Sequence, residues 1–469
     1  MGSAERSSWC RYLALPLALV PFLLVPFLMI APWATVLGQM SDPPATPESS
    51  SWSESVPRDP ALESFVSDVL TSNPDLAVAR SAAGAARARA RQAGALPDPK
   101  LGGTGYLMRP QTRTGPVTGM VTLSQQLPWF GKRGLRGDAA KAEADAQAAR
   151  ADAMEVHLVA EARRLYYELC FVDAQASLVG EDVATLEHYE EVARARYASG
   201  RGLEQGVVKV QAEITRAQAR LLDISAQRAS MQARLNALRD RPADAEIAVG
   251  PVPRATQPSL DAARLRAEAQ SSRPEVWEAE AGVERSQTLT RLAHKNYLPD
   301  VTIGLTYTFV GERDDPAGRA SPPTGNGDDD FGITAGINLP IWRGRLAAEV
   351  EEAAEGEAKS REAERAARTG IDREVGDLLA RVPLIWERVR LMDGVLTVQA
   401  DQALRSAESA YEAGTANALD LLDAERVRVE ARIAAERART DYVIALSDLE
   451  ASLGRRPETI PPRSSGEGR

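Results

Sequence analysis

The chain carries the same punctuation twice, in the same order and about 200 residues apart, which constrains its fold more than any single motif does. Ser72, Pro74 and Asp75 answer Ser272, Pro274 and Glu275. Leu96-Pro97-Asp98 answers Leu298-Pro299-Asp300, and Leu127-Pro128-Trp129 answers Leu339-Pro340-Ile341-Trp342. Gly131-Lys132-Arg133 then stands against Arg343-Gly344-Arg345. Further on, Tyr197-Ala198-Ser199-Gly200 matches Tyr411-Glu412-Ala413-Gly414, and Leu235-Asn236-Ala237 matches Leu449-Glu450-Ala451. Similar composition in two helical regions would repeat the alanines, but not the prolines and aromatics at matching places. The expectation is a duplication, with a first repeat over 59–258 and a second over 259–456.

Within each half the hydrophobic period changes. Residues 60–92 and 260–296 are rich in Ala, Arg and Glu, with apolar residues at helical spacing. The spacing then becomes two: Val301, Ile303, Leu305, Tyr307 and Phe309 alternate with Thr302, Gly304, Thr306 and Thr308, and Phe331, Ile333, Ala335, Ile337 and Leu339 alternate with Gly332, Thr334, Gly336 and Asn338. Successive side chains of a strand point to opposite faces, so each run has one apolar and one small polar face. Leu101, Gly103, Gly105 and Leu107, and then Val117, Gly119, Val121 and Leu123, repeat the pattern in the first half. Four strands are expected, at about 99–109, 117–127, 300–310 and 331–339, each of the length that crosses a bilayer when tilted. Tyr106, Trp129, Phe130, Tyr297 and Trp342 at their ends suit interfacial girdles. Asp328-Asp329-Asp330, in the loop before the fourth strand, lacks the spaced ligands of a calcium loop and reads as surface.

The remaining segments are long helices. Residues 134–198 contain no proline, and as one helix they would run roughly 95 to 100 Å at 1.5 Å per residue. Their counterpart, 346–412, holds Pro383 and several glycines, so a kink or unwound turn is expected there. Each ends at a glycine turn and is followed by a returning antiparallel helix, over 203–239 and 418–453. The fold class expected is mainly α with a small membrane β part: a duplicated helix-strand-strand-helix protomer with long antiparallel coiled-coil helices.

Four strands cannot close a barrel. In hydrocarbon the two raw edges would expose backbone groups costing several kcal/mol each, and the smallest common membrane barrels have about eight strands. Several copies must therefore contribute, and three would give about twelve strands. Composition narrows the rest. Lys and Arg total 56 against 66 Asp and Glu, a net charge of −10, and such a field repels nucleic acid. Cys10 and Cys170 make no paired metal cluster, and His157, His188 and His294 read as surface or packing residues. Gly131-Lys132-Arg133 lacks the rest of a phosphate loop, and neither G-x-S-x-G nor H-E-x-x-H occurs, so no enzyme, catalytic residue, metal site or cofactor is expected.

Arg6 and Arg11 precede an apolar stretch from Tyr12 to Trp33, followed by Val36-Leu37-Gly38. This reads as a secretory signal over 1–38. Pro16, Pro21 and Pro26 argue against a permanent membrane anchor, because each removes a helix hydrogen bond. Cys10 lies before the apolar run, so no lipid anchor is expected. Residues 39–58 read as a flexible lead-in and 457–469 as a disordered tail.

Taken with the Leu-Pro-Trp-Phe-Gly-Lys corner at 127–132 and Tyr411-Glu412-Ala413-Gly414-Thr415 followed by Asp420-Leu421-Leu422-Asp423-Ala424, the chain resembles the TolC-like outer membrane efflux proteins of Gram-negative bacteria over about residues 59 to 456. The resemblance implies one third of a homotrimeric duct, with twelve strands in outer membrane lipid and a periplasmic tunnel of twelve helices. A periplasmic adaptor protein docked at the helix tips would join it to an inner-membrane pump. Tyr197, Gly200, Gly202, Tyr411, Gly414 and Thr415 would form the docking tips. Pro128, Trp129, Gly131, Pro340, Trp342 and Gly344 would form the corners between barrel and helices. Asp420 and Asp423 match the aspartates that ring the tunnel entrance, whereas Ala416 stands where an arginine would help latch it. The corner resembles branches coupled to heavy-metal pumps; drug export is the other cargo class. The competing reading is a periplasmic coiled-coil adaptor or structural protein.

Overall fold

The computed structural model describes residues 59–454. Its element order repeats once. The first half contains α1 (Pro60–Ser72), α2 (Pro74–Ala93), β1 (Lys100–Gly105), β2 (Val117–Leu127), α3 (Lys132–Ala198) and α4 (Glu204–Leu238). The second contains α5 (Ala262–Ser272), α6 (Pro274–Lys295), β3 (Val301–Val310), a short α7 (Pro316–Ala320), β4 (Asp330–Ile337), α8 (Arg343–Leu391), a π turn (Met392–Leu396), α9 (Thr397–Glu412) and α10 (Ala418–Ser452). Among the described residues, no helix is long and apolar enough to cross a membrane.

The helical runs expected over 60–92 and 260–296 are each cut in two at matching places. Asn73 and Arg273 both take an extended conformation, with ψ of 122° and 125°. The following Pro74 and Pro274 exclude the helical region for the preceding residue and then start the next helix at its first position, where no N–H is needed. Asn73 also caps α2 by accepting from the Leu76 N–H at 3.0 Å.

Helix α3 spans 67 residues, roughly 100 Å. It packs against α2, α4, α6 and α10, while α10 packs against α8 and α9. The core is therefore a string of separate clusters. One gathers Phe65, Val69, Tyr166, Tyr167 and Cys170 of α1 and α3; another, nearer the helix ends, gathers Val179, Leu186, Tyr189, Val210, Leu404, Tyr411 and Leu421. Helix α8 runs through Pro383 without a break. The expected unwinding occurs instead at Met392–Leu396, where the Thr397 hydroxyl donates to the Met392 carbonyl at 2.8 Å and Asp393 pairs with Arg439 of α10. A π turn carries one extra residue, which satisfies its carbonyls differently from an α turn.

The four strands form one antiparallel sheet in the order β1-β2-β3-β4. Its register sorts the side chains into two faces. Leu101, Leu123, Leu305 and Ile333 lie directly opposite one another across all four strands, and Gly103, Val121, Tyr307 and Phe331 form the next row on that face. The alternate rows are Gly102, Thr122, Thr306 and Gly332, and Lys100, Ser124, Gly304 and Thr334. Thr122 and Thr306 bring their hydroxyls within 3.3 Å. Strand β1 is shorter than the expected 99–109: after Gly105 the chain leaves the ladder, held by the Tyr106 N–H to the Thr118 carbonyl at 3.1 Å. The loop over 311–329 holds α7, and Asp329 is engaged there, accepting from the Tyr307 hydroxyl at 2.7 Å and the Val310 N–H at 2.8 Å.

Candidate functional site

Three features bear on function: the bare sheet, the corners beneath it and the helix tips at the far end of the long helices. The sheet has one apolar face that nothing covers. Leu101, Leu123, Ile303, Leu305, Tyr307, Phe309, Phe331, Ile333 and Ile337 are all exposed, Ile333 to 73%. A contiguous apolar surface of this kind on a β-sheet marks contact with lipid or another protein. The opposite face is mostly Gly, Thr and Ser, with Lys100, Met120, Gln126 and Asp330 toward its ends. Strands β1 and β4 leave one edge each unpaired within the chain.

At the first corner, Gly131 adopts a left-handed φ of 85° and caps α3. Only glycine takes that conformation without steric cost. The turn delivers Lys132, 3% exposed, to Asp300 just before β3: the ammonium meets Oδ1 at 2.8 Å and the Leu298 carbonyl at 2.8 Å, and the same Oδ1 accepts from the Trp129 N–H at 2.9 Å. Burial would raise the Asp300 carboxyl, but the Lys132 ammonium and the Trp129 N–H hold it below the usual carboxylate range. Sequence reasoning named the corner but missed this tie; the signal was a lysine after Gly131 paired with the recurring Leu-Pro-Asp. The second corner departs from the first. Trp342 caps α8, Gly344 lies inside the first helical turn with open space at its Cβ position, and no positive φ is needed. Pro128 and Pro340 precede the two turns. Phe130 and Trp342 are exposed to 85% and 72%.

The tips share one turn geometry. Gly200 and Gly414 have φ of 72° and 76°. The Gly200 N–H donates to the Tyr197 carbonyl and the Arg201 N–H to that of Arg196; the Gly414 N–H donates to Tyr411 and the Thr415 N–H to Ala410, all at 2.9–3.0 Å. These are the bonds of a glycine-terminated helix. Gly202 packs closely, since a Cβ there would sit 3.2 Å from Arg196 Cβ and from the Tyr197 nitrogen. The two tips touch: the Arg196 guanidinium lies 4.1 Å over the Tyr411 ring and donates to the Glu412 carbonyl at 3.2 Å.

Asp420 and Asp423 are both exposed on the first turns of α10. Asp420 has a local task as well. Its Oδ2 accepts from the Asn417 N–H at 3.1 Å while Asn417 Oδ1 accepts from the Asp420 N–H at 3.2 Å, a reciprocal cap. One turn on, Glu425 is 1% exposed and is held by Arg428 through two bonds of 2.5 and 2.9 Å. Burial, and then Glu425, push the nearby Asp182 carboxyl of α3 up to about 6. His157 binds Glu275 at 3.2 Å, and His188 and His294 are exposed. Among the described residues no group of three His, Cys, Asp or Glu side chains is placed to hold a metal ion.

This arrangement can be set beside known proteins. The family model of the outer membrane efflux protein matches residues 65–239 and 265–455. Nodulation protein T of Rhizobium leguminosarum bv. trifolii is 23% identical over 414 residues, covering 84% of this chain and 86% of the relative. The cobalt-zinc-cadmium resistance protein CzcC of Cupriavidus metallidurans is 25% identical over 381 residues, covering 79% and 84%. The crystal structure of the outer membrane protein VceC from Vibrio cholerae superposes with a TM-score of 0.71 at 22% identity, covering 86% of this chain and 98% of that one. The bare apolar sheet face, the duplicated helices and a family match across both halves agree: the chain belongs to the outer membrane efflux protein family and is an efflux channel of the outer membrane.

Proposed function

We propose that three copies of this chain close a twelve-stranded barrel in the outer membrane and continue it as a helical tunnel into the periplasm, a passive duct in a tripartite system. The observation that carries this is the four-stranded sheet with an uncovered apolar face and two unpaired edges, which one chain cannot satisfy in lipid. A soluble adaptor or structural coiled coil has no use for such a sheet. A periplasmic adaptor docks at the tips around Tyr197, Gly200, Gly202, Tyr411, Gly414 and Thr415 and connects the duct to an inner-membrane pump. Similarity to a cobalt-zinc-cadmium resistance protein favours heavy-metal cargo. Residues 1–38 act as the export signal, 39–58 as a lead-in and 457–469 as a tail around the repeats 59–258 and 259–456.

Asp420 and Asp423 form the periplasmic entrance, where three copies of each concentrate six carboxylates and favour cations. The test is electrical. Purified protein in planar bilayers is expected to conduct, with cation selectivity that falls when Asp420→Ala and Asp423→Ala are combined. Absence of channels overturns the duct; unchanged selectivity removes these two aspartates from the entrance.

A further inference from the structure

The duplication fixes how neighbouring copies meet, a step that rests on the shared-barrel reading. Inside one chain, the end of β2 lies beside the start of β3: Leu127 pairs with Val301, Asp300 precedes that pair, and Lys132 in the first turn of α3 reaches Asp300. The same sequence marks border the two free edges. Leu339-Pro340 follows β4 as Leu127-Pro128 ends β2, and Leu96-Pro97-Asp98 precedes β1 as Leu298-Pro299-Asp300 precedes β3. Arg343 is the first helical residue of α8, as Lys132 is of α3. The Leu346 N–H donates to Trp342 as the Leu135 N–H donates to Gly131, so the helix starts align with a corner one residue shorter in the second half, which puts Arg343 rather than Gly344 in the place of Lys132; within its own chain Arg343 lies 5.5 Å over the Tyr297 ring. Arg343 and Asp98 are both exposed in the single chain.

We propose that β4 of one copy pairs antiparallel with β1 of the next in the register that repeats β2–β3, with Leu339 opposite Pro99, and that Arg343 takes Asp98 of the neighbouring copy as Lys132 takes Asp300. This register sets Ile337 opposite Leu101, Gly336 opposite Gly102 and Thr334 opposite Thr104. An independent check is available in the faces. A one-residue slip would set every apolar side chain of β4 against a polar position of β1. Here Ile337 and Leu101 both belong to the apolar face, and Thr334 and Thr104 to the polar one.

Closure geometry gives a second check. Going straight across one copy, the row that starts at Leu101 ends at Ile333, and in the inferred register Ile333 meets Gly105 of the next copy. The offset is four residues per copy, hence twelve around three copies, equal to the number of strands. With about 3.3 Å per residue along a strand and about 4.7 Å between strands, that stagger tilts the strands by roughly 35°. Membrane barrels have tilts of about 35–45°.

The experiment uses paired cysteines in the full-length protein in its native membrane. Cys170 is buried and its thiol is pushed up to about 12, so it does not compete for oxidant. Thr104→Cys with Thr334→Cys is expected to give disulfide-linked dimers and trimers on non-reducing gels, at a yield about tenfold above Thr104→Cys paired with Gly332→Cys or Gly336→Cys, because a disulfide needs Cβ atoms about 3.8 Å apart. Neither single variant links. Charge reversal is the second arm: Arg343→Asp is expected to lower the fraction of heat-resistant oligomer, and adding Asp98→Arg to restore it. If the protein is trimeric by mass but links best at a slipped pair, or Asp98→Arg gives no rescue, the inference is overturned while the duct stands. If no oligomer forms, the duct itself fails.

Discussion

At the scale of single residues, the two corners separate a glycine that is required from one that is not. Gly131 sits at φ 85°, so Gly131→Ala is expected to destabilise by about 1–2 kcal/mol, the cost of a left-handed turn at a residue with a Cβ. Gly344 is helical with open space around it, so Gly344→Ala is expected to be neutral or to stabilise by about 0.5–1 kcal/mol. Thermal midpoints in detergent measure both. The sequence aligned these glycines by neighbourhood, and only the backbone tells them apart. Asp182 offers a pH test. It lies near Glu425 and Arg428 of α10 and Arg220 and Glu213 of α4, and its folded pKa of about 6 exceeds the ordinary 3.8. The folded state therefore holds more protons than the unfolded state between those values, and stability falls as pH rises through that window. Asp182→Asn is expected to raise stability at pH 7 by about 1 kcal/mol, after allowance for screening of a half-exposed carboxylate, and to change little at pH 4. An equal gain at both pH values would place the effect elsewhere.

At the scale of elements, the strands were legible because alternation over membrane length has few other solutions, and the register now shows the apolar positions lying in rows. The faces predict unequal tolerance. Leu305→Arg, on the apolar face, is expected to cost about 2–4 kcal/mol if it lies near the bilayer midplane, whereas Thr306→Arg, one residue on and facing inward, is tolerated. The fraction of chain recovered as folded oligomer from outer membranes measures the difference; equal losses would contradict the assignment of faces. Helix boundaries were legible where a glycine turn ends a long helix, as at Gly200; the break at Asn73-Pro74 was not, because the helical spacing of apolar residues continues across it. The unwound turn expected from Pro383 and the glycines of this helix falls at Gly394, within Met392–Leu396, where Asp393 pairs with Arg439 of α10, and Pro383 leaves the helix unbroken. The Lys132–Asp300 tie was not legible, since it joins residues 168 apart and exists only because β2 and β3 are neighbours. Asp420 was read as an entrance residue, and the Asn417 cap that it completes was equally present as a three-residue spacing in the sequence.

At the scale of the whole molecule, one physical requirement organises the rest. A sheet with an uncovered apolar face belongs in lipid, and lipid does not tolerate unpaired strand edges. Both edges of this sheet are bare, and in the proposed barrel assembly completes the fold and draws the long helices, carried on the same chain, into a common wall. On the proposed shared barrel, a folded membrane-embedded monomer is not expected. Native mass spectrometry of the protein released from outer membranes in mild detergent tests this most directly. The account predicts a single folded species of three chains; a stable species of one chain, with its sheet intact, would contradict it.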